Sequence, residues 1–221
     1  TGGSQHRGSR RMIRVVIADD HAIVREGIKR TLDDADDIQV VGEAGDGAAL
    51  LALLNTCPAD VVMIDLAMPG MNGMELLEEV RRRKPDAPVL VLSMYPTEQY
   101  AVRAIRAGAS GYINKARPPS ELIAAIRTVA ARRHYVDSET AESLASHVDA
   151  TSAQPPHEKL SNREFEVVCL IAQGKSVSDI ADQLALSVKT VSTYRSRILE
   201  KLGLRHNAEI TRYALRHGLV E

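Results

Sequence analysis

The sequence predicts an α/β fold, a doubly wound five-stranded parallel sheet, followed by a small all-α domain of four helices. Two observations carry this prediction. Between residues 13 and 132, short apolar runs rich in Val and Ile alternate five times with segments of helical apolar spacing, which is typical of a parallel sheet covered by helices on both faces. The last segment, of about 60 residues, instead carries helix start signals at short intervals, which predicts a separate helical domain.

The strands are expected at the five apolar runs, and a helix is expected after each. The third run, Val61–Asp65, shows no polar alternation and is stopped by Pro69 and Gly70, which predicts a strand covered on both faces. The expected strands are Ile13–Ala18, Ile38–Ala44, Val61–Asp65, Val89–Ser93 and Gly111–Asn114, and the expected helices cover residues 21–33, 46–55, 74–83, 98–107 and 121–132.

Composition narrows the class of protein. Apolar residues make up 44% and charged residues 26% of the 221 residues, as in ordinary globular proteins, and every apolar run is shorter than the roughly 18 residues of a membrane-spanning helix. We therefore expect a cytoplasmic protein without a membrane segment. Cys57 and Cys169 show neither CxxC nor His spacing, so we expect reduced thiols. Residues 1–11 are expected to be a tag remnant before a native start at Met12.

The two halves of the chain differ in charge. Residues 12–130 hold 13 Lys and Arg against 17 Asp and Glu, a balance of −4, whereas residues 157–221 hold 10 against 8, a balance of +2. A mildly basic C-terminal domain permits nucleic-acid binding without requiring it.

Polar side chains follow four of the five strand runs at their carboxyl ends, where parallel α/β sheets collect ligands. Three carboxylates in one crevice repel each other unless a hard cation is bound, and oxygen ligands suit Mg²⁺ or Mn²⁺. A phosphoryl group there would meet the metal, a hydroxyl and an ammonium. The alternative is a set of unrelated loop charges. The candidate residues are Asp19 and Asp20, Asp65, Ser93 and Lys115.

The three glycines near the second strand do not form a dinucleotide-binding motif. Gly42, Gly45 and Gly47 follow the second strand, but their spacing is not GxGxxG and no acidic ribose partner is suitably placed. We interpret them as loop glycines.

Four motifs in fixed order, Asp19-Asp20, the run from Asp65 to Gly73, Leu92-Ser93-Met94 and Gly111-Tyr112-Ile113-Asn114-Lys115, resemble the receiver domain of two-component response regulators, a flavodoxin-like fold. The resemblance implies that Asp65 accepts a phosphoryl group from a sensor histidine kinase. It further implies a metal site formed by Asp19, Asp20, Asp65 and the backbone carbonyl of Ala67, a switch pair of Ser93 and Tyr112, and a phosphate-binding Lys115. Ala67 departs from the polar side chain often found there, which bears on the phosphate lifetime.

The segment between the domains, residues 133–157, changes character. Residues 138–148 are expected to form a short amphipathic helix, and residues 149–157 are expected to be flexible because they are rich in Ala, Ser, Thr, Gln and Pro. Such a tether allows the two domains either to dock or to swing apart, and the sequence leaves both alternatives open.

The last segment, residues 158–221, has the layout of a helix-turn-helix. Start signals lie at Ser161, Ser176, Ser187 and Asn207, and glycines lie where the helices are expected to end. In the helix expected over residues 188–202, an apolar stripe is opposed by a short-chained polar face suited to a major groove. The alternative is a solvated face in a protein-binding bundle. The candidate DNA-binding residues are Lys189, Thr190, Ser192, Thr193, Arg195, Ser196 and Arg197.

The runs Leu160-Ser161-Asn162-Arg163-Glu164, Leu186-Ser187-Val188-Lys189-Thr190-Val191 and Lys201-Leu202-Gly203 resemble the LuxR-type DNA-binding domain. Joined to a receiver, this is the architecture of the NarL/FixJ class of response regulators, which are non-enzymatic transcription regulators apart from phosphotransfer and self-dephosphorylation. The class implies promoter DNA, a homodimer formed on phosphorylation, and RNA polymerase as candidate partners. It also implies dimer contacts by the last helix, through Asn207, Ile210, Tyr213 and Ala214.

Two departures and two rival functions remain. Tyr194 stands where many members carry His, and Ser side chains occupy base-reading positions that are often Lys, so the operator sequence does not transfer. The rivals are a signalling module whose C-terminal bundle binds protein, and an enzyme with Asp65 as a phosphatase-type nucleophile. The enzyme would need a second acid two positions after Asp65, where Ala67 stands.

Overall fold

The computed structural model describes residues 11–68, 71–94, 98–136, 140–141 and 155–220. The first domain is a five-stranded parallel sheet in the order β2-β1-β3-β4-β5, which is the flavodoxin-like order of a doubly wound sheet. The expected fold class is confirmed. The strands are β1 Ile13–Ala18, β2 Ile38–Ala44, β3 Val61–Asp65, β4 Val89–Ser93 and β5 Gly111–Asn114, and the helices are α1 Ala22–Asp33, α2 Gly47–Thr56, α3 Gly73–Arg83, α4 Glu98–Arg106 and α5 Pro119–Ala130.

Strand β3 is central, because it pairs in parallel with β1 on one side and with β4 on the other. All five residues of β3 are buried, as are all five of β4. The register pairs Asp65 with Leu92 and Ser93 with Asn114, so the carboxyl ends of neighbouring strands lie at one edge of the sheet. The five strands have the bounds that the sequence predicted. The covered strands β3 and β4 are the clearest apolar runs, whereas the edge strand β2 exposes Gln39 and Glu43.

Helix α4 begins at Glu98 as expected, and the other four helix starts of the first domain differ from expectation by one or two residues. Helix α5 begins at Pro119, two residues before the expected start, since proline is well suited to the first helical position. Helix α3 begins at Gly73, after Asn72, whose side-chain oxygen accepts a backbone N–H of the first turn.

The C-terminal domain contains four helices, as expected: α6 Asn162–Ala172, α7 Val177–Gln183, α8 Val188–Leu202 and α9 Asn207–Arg216. Ser161 and Ser176 each form a reciprocal capping box with the acidic residue three positions on, and Ser187 caps α8. The expected cap at Asn207 is wrong. Asn207 is the first helical residue of α9, His206 precedes it without a side-chain cap, and the amide oxygen of Asn207 accepts a hydrogen bond from Arg195.

The expected linker helix over residues 138–148 lies outside the described residues except at residues 140–141, which are helical. The stretch expected to be flexible, residues 149–157, lies outside the described residues up to residue 154, and its last residues are held in place, contrary to expectation. Pro156–Lys159 forms a 3-10 turn, and His157 is buried with its Nδ1 3.0 Å from the hydroxyl of Tyr213. The order arises because the His157 ring packs against α9, a contact between distant parts of the sequence.

The two domains are docked, which answers the alternative that the sequence left open. Buried residues of α4 in the first domain and of α6 in the second belong to one continuous apolar cluster. Among the described helices, none is both long enough and apolar enough to cross a membrane.

Candidate functional site

The carboxyl edge of the sheet holds a cluster of charged side chains. Lys115 Nζ lies 2.6 Å from Asp19 Oδ2 and 2.6 Å from Asp65 Oδ2. The side chains of Asp19 and Asp65 are 0% and 1% exposed, and that of Lys115 is 11% exposed. Asp19, Asp20, His21 and Asp65 each place one ligand atom within 4.8 Å of the others. The structure thus brings together all the charged residues that the strand ends predicted.

The two carboxylates that follow β1 have different environments. Asp19 Oδ1 accepts the backbone N–H of His21 at 2.8 Å, which fixes the turn after β1. Asp20 is 24% exposed, and its Oδ1 lies 2.9 Å from Nδ1 of His21. Asp19 is therefore held from two sides, by Lys115 and by the backbone, whereas Asp20 lies towards solvent.

Opposing interactions act on the pKa of the buried Asp65 carboxylate. Burial raises its pKa above the ordinary value, and the carboxylate of Asp19 adds to the increase. The ammonium of Lys115 and the N–H of Ala67, which donates to Asp65 Oδ1 at 3.1 Å, act in the opposite direction. A ligand or cation that compensates the negative charge would therefore stabilise the ionised Asp65 carboxylate in this environment.

Backbone pairing fixes the positions of the hydroxyl and the ammonium. Lys115 N donates to the Ser93 carbonyl at 2.8 Å, so these two residues share the edge of the sheet. Ser93 is fully buried and directly follows Leu92, the strand partner of Asp65. Tyr112, two strands away from Asp65, is buried within the apolar core.

The loop after Asp65 returns closely upon itself. A Cβ atom on Gly73 would lie 2.4 Å from Leu66 Cα and 2.6 Å from its carbonyl oxygen, so only glycine fits at the start of α3. Asn72, directly before Gly73, is buried. The end of β3 and the first turn of α3 are therefore in direct backbone contact.

The donor set fits a hard divalent cation. Asp20 Oδ1 and Asp65 Oδ2 are buried oxygens that accept no hydrogen bond from the described residues; each is in an ion-pair contact, with His21 and Lys115 respectively. Carboxylate oxygens are the ligands that Mg²⁺ prefers in proteins. Bound by Asp19, Asp20 and Asp65, a cation would satisfy these oxygens and offset their mutual repulsion.

Helix α8 has one buried and one exposed face. Val191, Ile198 and Leu202 are buried, which confirms the expected apolar stripe. The hydroxyls of Thr193 and Ser196 each donate to the backbone carbonyl four residues earlier. Most of the candidate DNA-contacting residues lie on the exposed face, namely Lys189, Ser192, Thr193, Ser196 and Arg197.

The other two candidate DNA-contacting residues are half-buried and have partners inside the domain. Arg195 Nε donates to Asn207 Oδ1 at 2.5 Å, which ties its guanidinium to α9. The hydroxyl of Thr190 lies 2.7 Å from that of Ser187, the residue that caps α8. These contacts hold the helix in place within the domain.

The expected dimer residues of α9 are divided by burial. Ile210 and Ala214 are 0% exposed, so their side chains form the core of the domain and offer no accessible surface. Asn207 and Tyr213 are half-buried and interact with Arg195 and His157, as described above. Spacing of four residues marks a buried stripe but does not show whether a partner subunit or the domain itself covers it.

The sequence reasoning missed several residues that the structure brings together at the domain boundary. They share burial and contacts across the two domains, and no motif marks them. His21 was also missed as a neighbour of the acidic cluster, although its position after the Asp19-Asp20 pair is a usable signal. The residues at the boundary are Asn72, Tyr100, Arg103, His157, Phe165 and Glu166.

Comparisons with known proteins match both domains. The family "Response regulator receiver domain" matches residues 15–127, and the family "Bacterial regulatory proteins, luxR family" matches residues 158–214. The chain is 40% identical over 215 residues to the response regulator GacA of Pseudomonas aeruginosa, covering 95% of this chain and 99% of the relative. It is 37% identical over 209 residues to the response regulator UvrY of Escherichia coli, covering 94% of this chain and 96% of the relative.

Solved structures give the same assignment. A structure of RcsB from Salmonella enterica, described as bound to the promoter rprA with the phosphomimetic BeF3⁻, matches with a TM-score of 0.64 and 29% identity, covering 91% of this chain and 98% of that chain. The response regulator ChrA of a heme-sensing two-component system matches with a TM-score of 0.52 and 35% identity, covering 95% and 99%. The chain belongs to the response regulators that join a receiver domain to a LuxR-type DNA-binding domain, the architecture of the NarL/FixJ class.

Proposed function

We propose that the protein is a phosphorylation-controlled, sequence-specific DNA-binding regulator. Asp65 accepts a phosphoryl group from a sensor histidine kinase, and the phosphorylated protein dimerises and binds promoter DNA to regulate transcription. The observation that carries the proposal is the placement of Lys115 Nζ 2.6 Å from both Asp19 and Asp65, at the ligand-binding edge of the sheet.

The proposed transfer is a displacement at phosphorus. A carboxylate oxygen of Asp65 forms a new P–O bond while the P–N bond to the donor histidine breaks, and the nitrogen keeps the electron pair. Lys115 then pairs with oxygens of the acyl phosphate. A divalent cation, Mg²⁺ or Mn²⁺, held by Asp19, Asp20, Asp65 and the Ala67 carbonyl, would supply charge neutralisation at the phosphoryl oxygens.

The acyl phosphate is also the proposed means of control. The Ser93 hydroxyl donates to a phosphoryl oxygen, and the inward position of Tyr112 follows the movement of Ser93. The phosphoryl group thereby favours one of two existing arrangements through its extra contacts. Hydrolysis of the acyl phosphate restores Asp65, and the small side chain of Ala67 leaves water a path to the phosphorus.

DNA binding is proposed for the exposed face of α8, with α7 and α8 as the helix-turn-helix. Lys189 and Arg197 are placed to bind phosphates, because their charges lie at the exposed surface. Ser192, Thr193 and Ser196 are placed to contact base edges after rotation of their hydroxyls. Thr190 and Arg195 contribute chiefly by holding α8 in place within the domain, through their contacts with Ser187 and Asn207. The RcsB structure bound to a promoter supports this proposal by similarity.

The dimer proposal keeps helix α9 but changes the residues. Because Ile210 and Ala214 are buried within the domain, the contact is proposed for the exposed face that includes Leu215, which is 54% exposed, together with the half-buried Asn207 and Tyr213. RNA polymerase is a proposed further partner at promoters, and the sensor kinase places the regulator in the cytoplasm.

The rival functions are less well supported. The phosphatase-type enzyme lacks its second acid, since Ala67 occupies that position. The protein-binding bundle is compatible with the fold but leaves the exposed Lys189 and Arg197 beside three small hydroxyl residues without a role.

A salt titration of DNA affinity separates these functions. We expect the logarithm of the affinity to fall linearly with the logarithm of salt concentration, with a slope several-fold steeper than −1, and we expect Arg197→Ala to reduce the slope by about 1. The matched control, Arg30→Ala on exposed α1, should leave the slope unchanged. A slope near zero would favour the protein-binding rival. Genomic footprinting of the phosphorylated protein and of Asp65→Asn would then identify the operators.

A further inference from the structure

The domain junction is centred on Arg103 of α4. Its guanidinium donates to the carbonyls of His157, at 2.7 Å, and of Leu160, at 3.1 Å. It also lies over the ring of Phe165, with Cζ 4.1 Å from the ring centroid. Tyr100, one turn earlier, packs edge-to-face on the same ring at 4.9 Å. One face of α4 therefore anchors the start of the DNA-binding domain through both polar and aromatic contacts.

A second contact joins the DNA-binding domain to the phosphoacceptor loop. Asn72 Nδ2 donates to Glu166 Oε2 at 2.9 Å, and each residue is 4% exposed. The same carboxylate oxygen accepts a hydrogen bond from Arg163 at 2.8 Å within α6. Asn72 thus uses its oxygen to cap α3 and its amide nitrogen to hold the second domain.

The Asn72 contact is linked to Asp65 by a short, closely packed path. Leu66 follows Asp65, and its backbone contacts Gly73 so closely that no Cβ fits there. Asn72 directly precedes Gly73. A displacement of Leu66 on phosphorylation of Asp65 would therefore press on Gly73 and be passed to the adjoining Asn72, since the two backbones are in close contact.

Favourable and unfavourable contributions to the free energy of docking oppose each other at the junction. Burial raises the pKa of Glu166, and the hydrogen bonds from Arg163 and Asn72 only partly oppose that increase. Undocking would return this ion pair to water, which recovers part of the desolvation cost. The aromatic and Arg103 contacts favour docking. Loss of the single Asn72 hydrogen bond is then enough to shift the docked population substantially.

Docking leaves the DNA-reading face of α8 open. In the docked structure Lys189, Ser192 and Arg197 are exposed, so no described residue of the receiver domain covers them. What docking does restrict is the orientation of the DNA-binding domain relative to the receiver. That restriction matters for a dimer, because two such domains must match half-sites about one helical turn apart.

We propose that Asn72 and Glu166 couple the state of Asp65 to the docking of the DNA-binding domain, and that docking restricts the orientation of that domain without covering its DNA-reading face. This inference rests on the proposed function of Asp65 as phosphoacceptor and names the contact through which that site acts.

Two substitutions at one position isolate the coupling contact. Asn72→Ser keeps an N-cap for α3 and removes only the donor to Glu166. Asn72→Asp also keeps the cap but places a second carboxylate against Glu166. The matched control is Arg106→Ala, which breaks an exposed pair with Glu158 at the rim of the same junction and should shift the docked population by no more than about twofold.

The docked population is measured in the full chain by the distance between two spin labels. Exposed positions for the labels are Arg30→Cys in α1 and Ala208→Cys in α9, in a Cys57→Ser background. The remaining thiol, Cys169, is replaced by Ala as well, because it lies beside Tyr100 and Arg103 at the junction and would lose part of its cover on undocking. Beryllofluoride, a mimic of a bound phosphoryl group, is added with Mg²⁺.

We expect one narrow distance distribution for the free wild-type protein and a loss of that population, by about fivefold or more, when beryllofluoride is bound. Asn72→Asp should lose it without beryllofluoride. Asn72→Ser, which lacks the hydrogen bond to Glu166, should already have lost much of the docked population and should therefore respond to beryllofluoride by less than about twofold. A full wild-type response in Asn72→Ser, or a docked population in Asn72→Asp equal to that of the wild type, would overturn the proposal.

A second measurement tests whether docking covers the DNA-reading face. Binding to a random duplex of about 12 base pairs, which accommodates a single DNA-binding domain, should be equal in wild type and Asn72→Asp at the same salt concentration. A gain of about tenfold or more in the variant would show that docking covers the face and would overturn that part of the proposal.

The two proposals fail in different ways. If Asp65 were not the phosphoacceptor, beryllofluoride would leave every variant unchanged, while Asn72→Asp would still be undocked. If the coupling were wrong, beryllofluoride would undock wild type and Asn72→Ser equally.

Discussion

The ammonium of Lys115 lies 2.6 Å from the carboxylate of Asp65, although fifty residues separate them in the chain and both side chains are nearly buried. The pairing follows from topology: β3 and β5 are parallel strands on either side of β4, so residues at their carboxyl ends meet. Lys115 also pairs with Asp19. One cation thus compensates two buried carboxylates, which is the relationship on which the proposed phosphate chemistry depends.

Removing the ammonium group of Lys115 should destabilise the receiver domain at neutral pH. We expect Lys115→Met to lower the free energy of unfolding by about 3 kcal/mol at pH 7, because two buried carboxylates lose their partner. Added Mg²⁺ should restore much of the loss, since the metal supplies the missing charge. Lys175→Met, at an exposed position, is the control. An unchanged unfolding midpoint in urea for Lys115→Met would contradict this account.

The Asp65→Asn variant should be more stable than wild type. Because burial raises the pKa of Asp65, the folded state binds its proton more tightly than the unfolded state. The ionised Asp65 carboxylate therefore lowers the free energy of unfolding by an amount that grows as the pH rises from the ordinary aspartate pKa through the raised value. Above that value the amount is constant. We expect Asp65→Asn to gain about 1 kcal/mol at pH 7 and less at about pH 4. Urea unfolding at both pH values measures the difference, and an equal gain at both would refute the electrostatic explanation.

Two glycine substitutions should have opposite effects. Gly73→Ala places a Cβ 2.4 Å from Leu66 Cα, so the loop after Asp65 must shift. We expect a loss of about 2 kcal/mol or more and a weaker affinity for beryllofluoride. Gly27→Ala is the matched control, because its Cβ would meet nothing within 4 Å on helix α1, and it should gain about 0.5–1 kcal/mol. Thermal unfolding of both variants tests the pair, and a tolerated Gly73→Ala would remove the close approach from the proposed path.

The turn between α7 and α8 contains a strained residue. Ala185 has φ of 52°, in the left-handed region, where a Cβ atom costs about 1 kcal/mol. Ala185→Gly should therefore raise the melting temperature of the C-terminal domain or leave it unchanged, whereas Gly203→Ala, at φ of 67°, should lower it. Calorimetry distinguishes these outcomes, and a lower melting temperature for Ala185→Gly would show that the strain is absent.

The sequence predicted much of the fold because its signals are local. The strands follow short apolar runs, most clearly in β3 and β4, and Ser161 and Ser176 mark helix starts through the residues three positions on. The acidic cluster was predictable as well, since parallel strands bring their carboxyl ends to one edge. Each strand, cap and strand-end residue is thus marked by the short stretch of chain around it.

The domain junction could not be predicted in this way. The hydrogen bond between Asn72 and Glu166 joins residues 94 positions apart, and neither lies in a pattern that indicates a partner. Helix α9 shows the same limit: the resemblance implied dimer contacts through Ile210 and Ala214, and no local pattern shows that the domain's own core covers their side chains.

Phosphoryl uptake at Asp65 tests the central claim most directly. The protein is incubated with Mg²⁺ and a small phosphoryl donor, and the intact mass and the modified residue are determined by mass spectrometry at successive times. We predict one phosphoryl group per wild-type chain, located on Asp65, and none on Asp65→Asn under the same conditions. Equal uptake by Asp65→Asn and wild type would contradict the account.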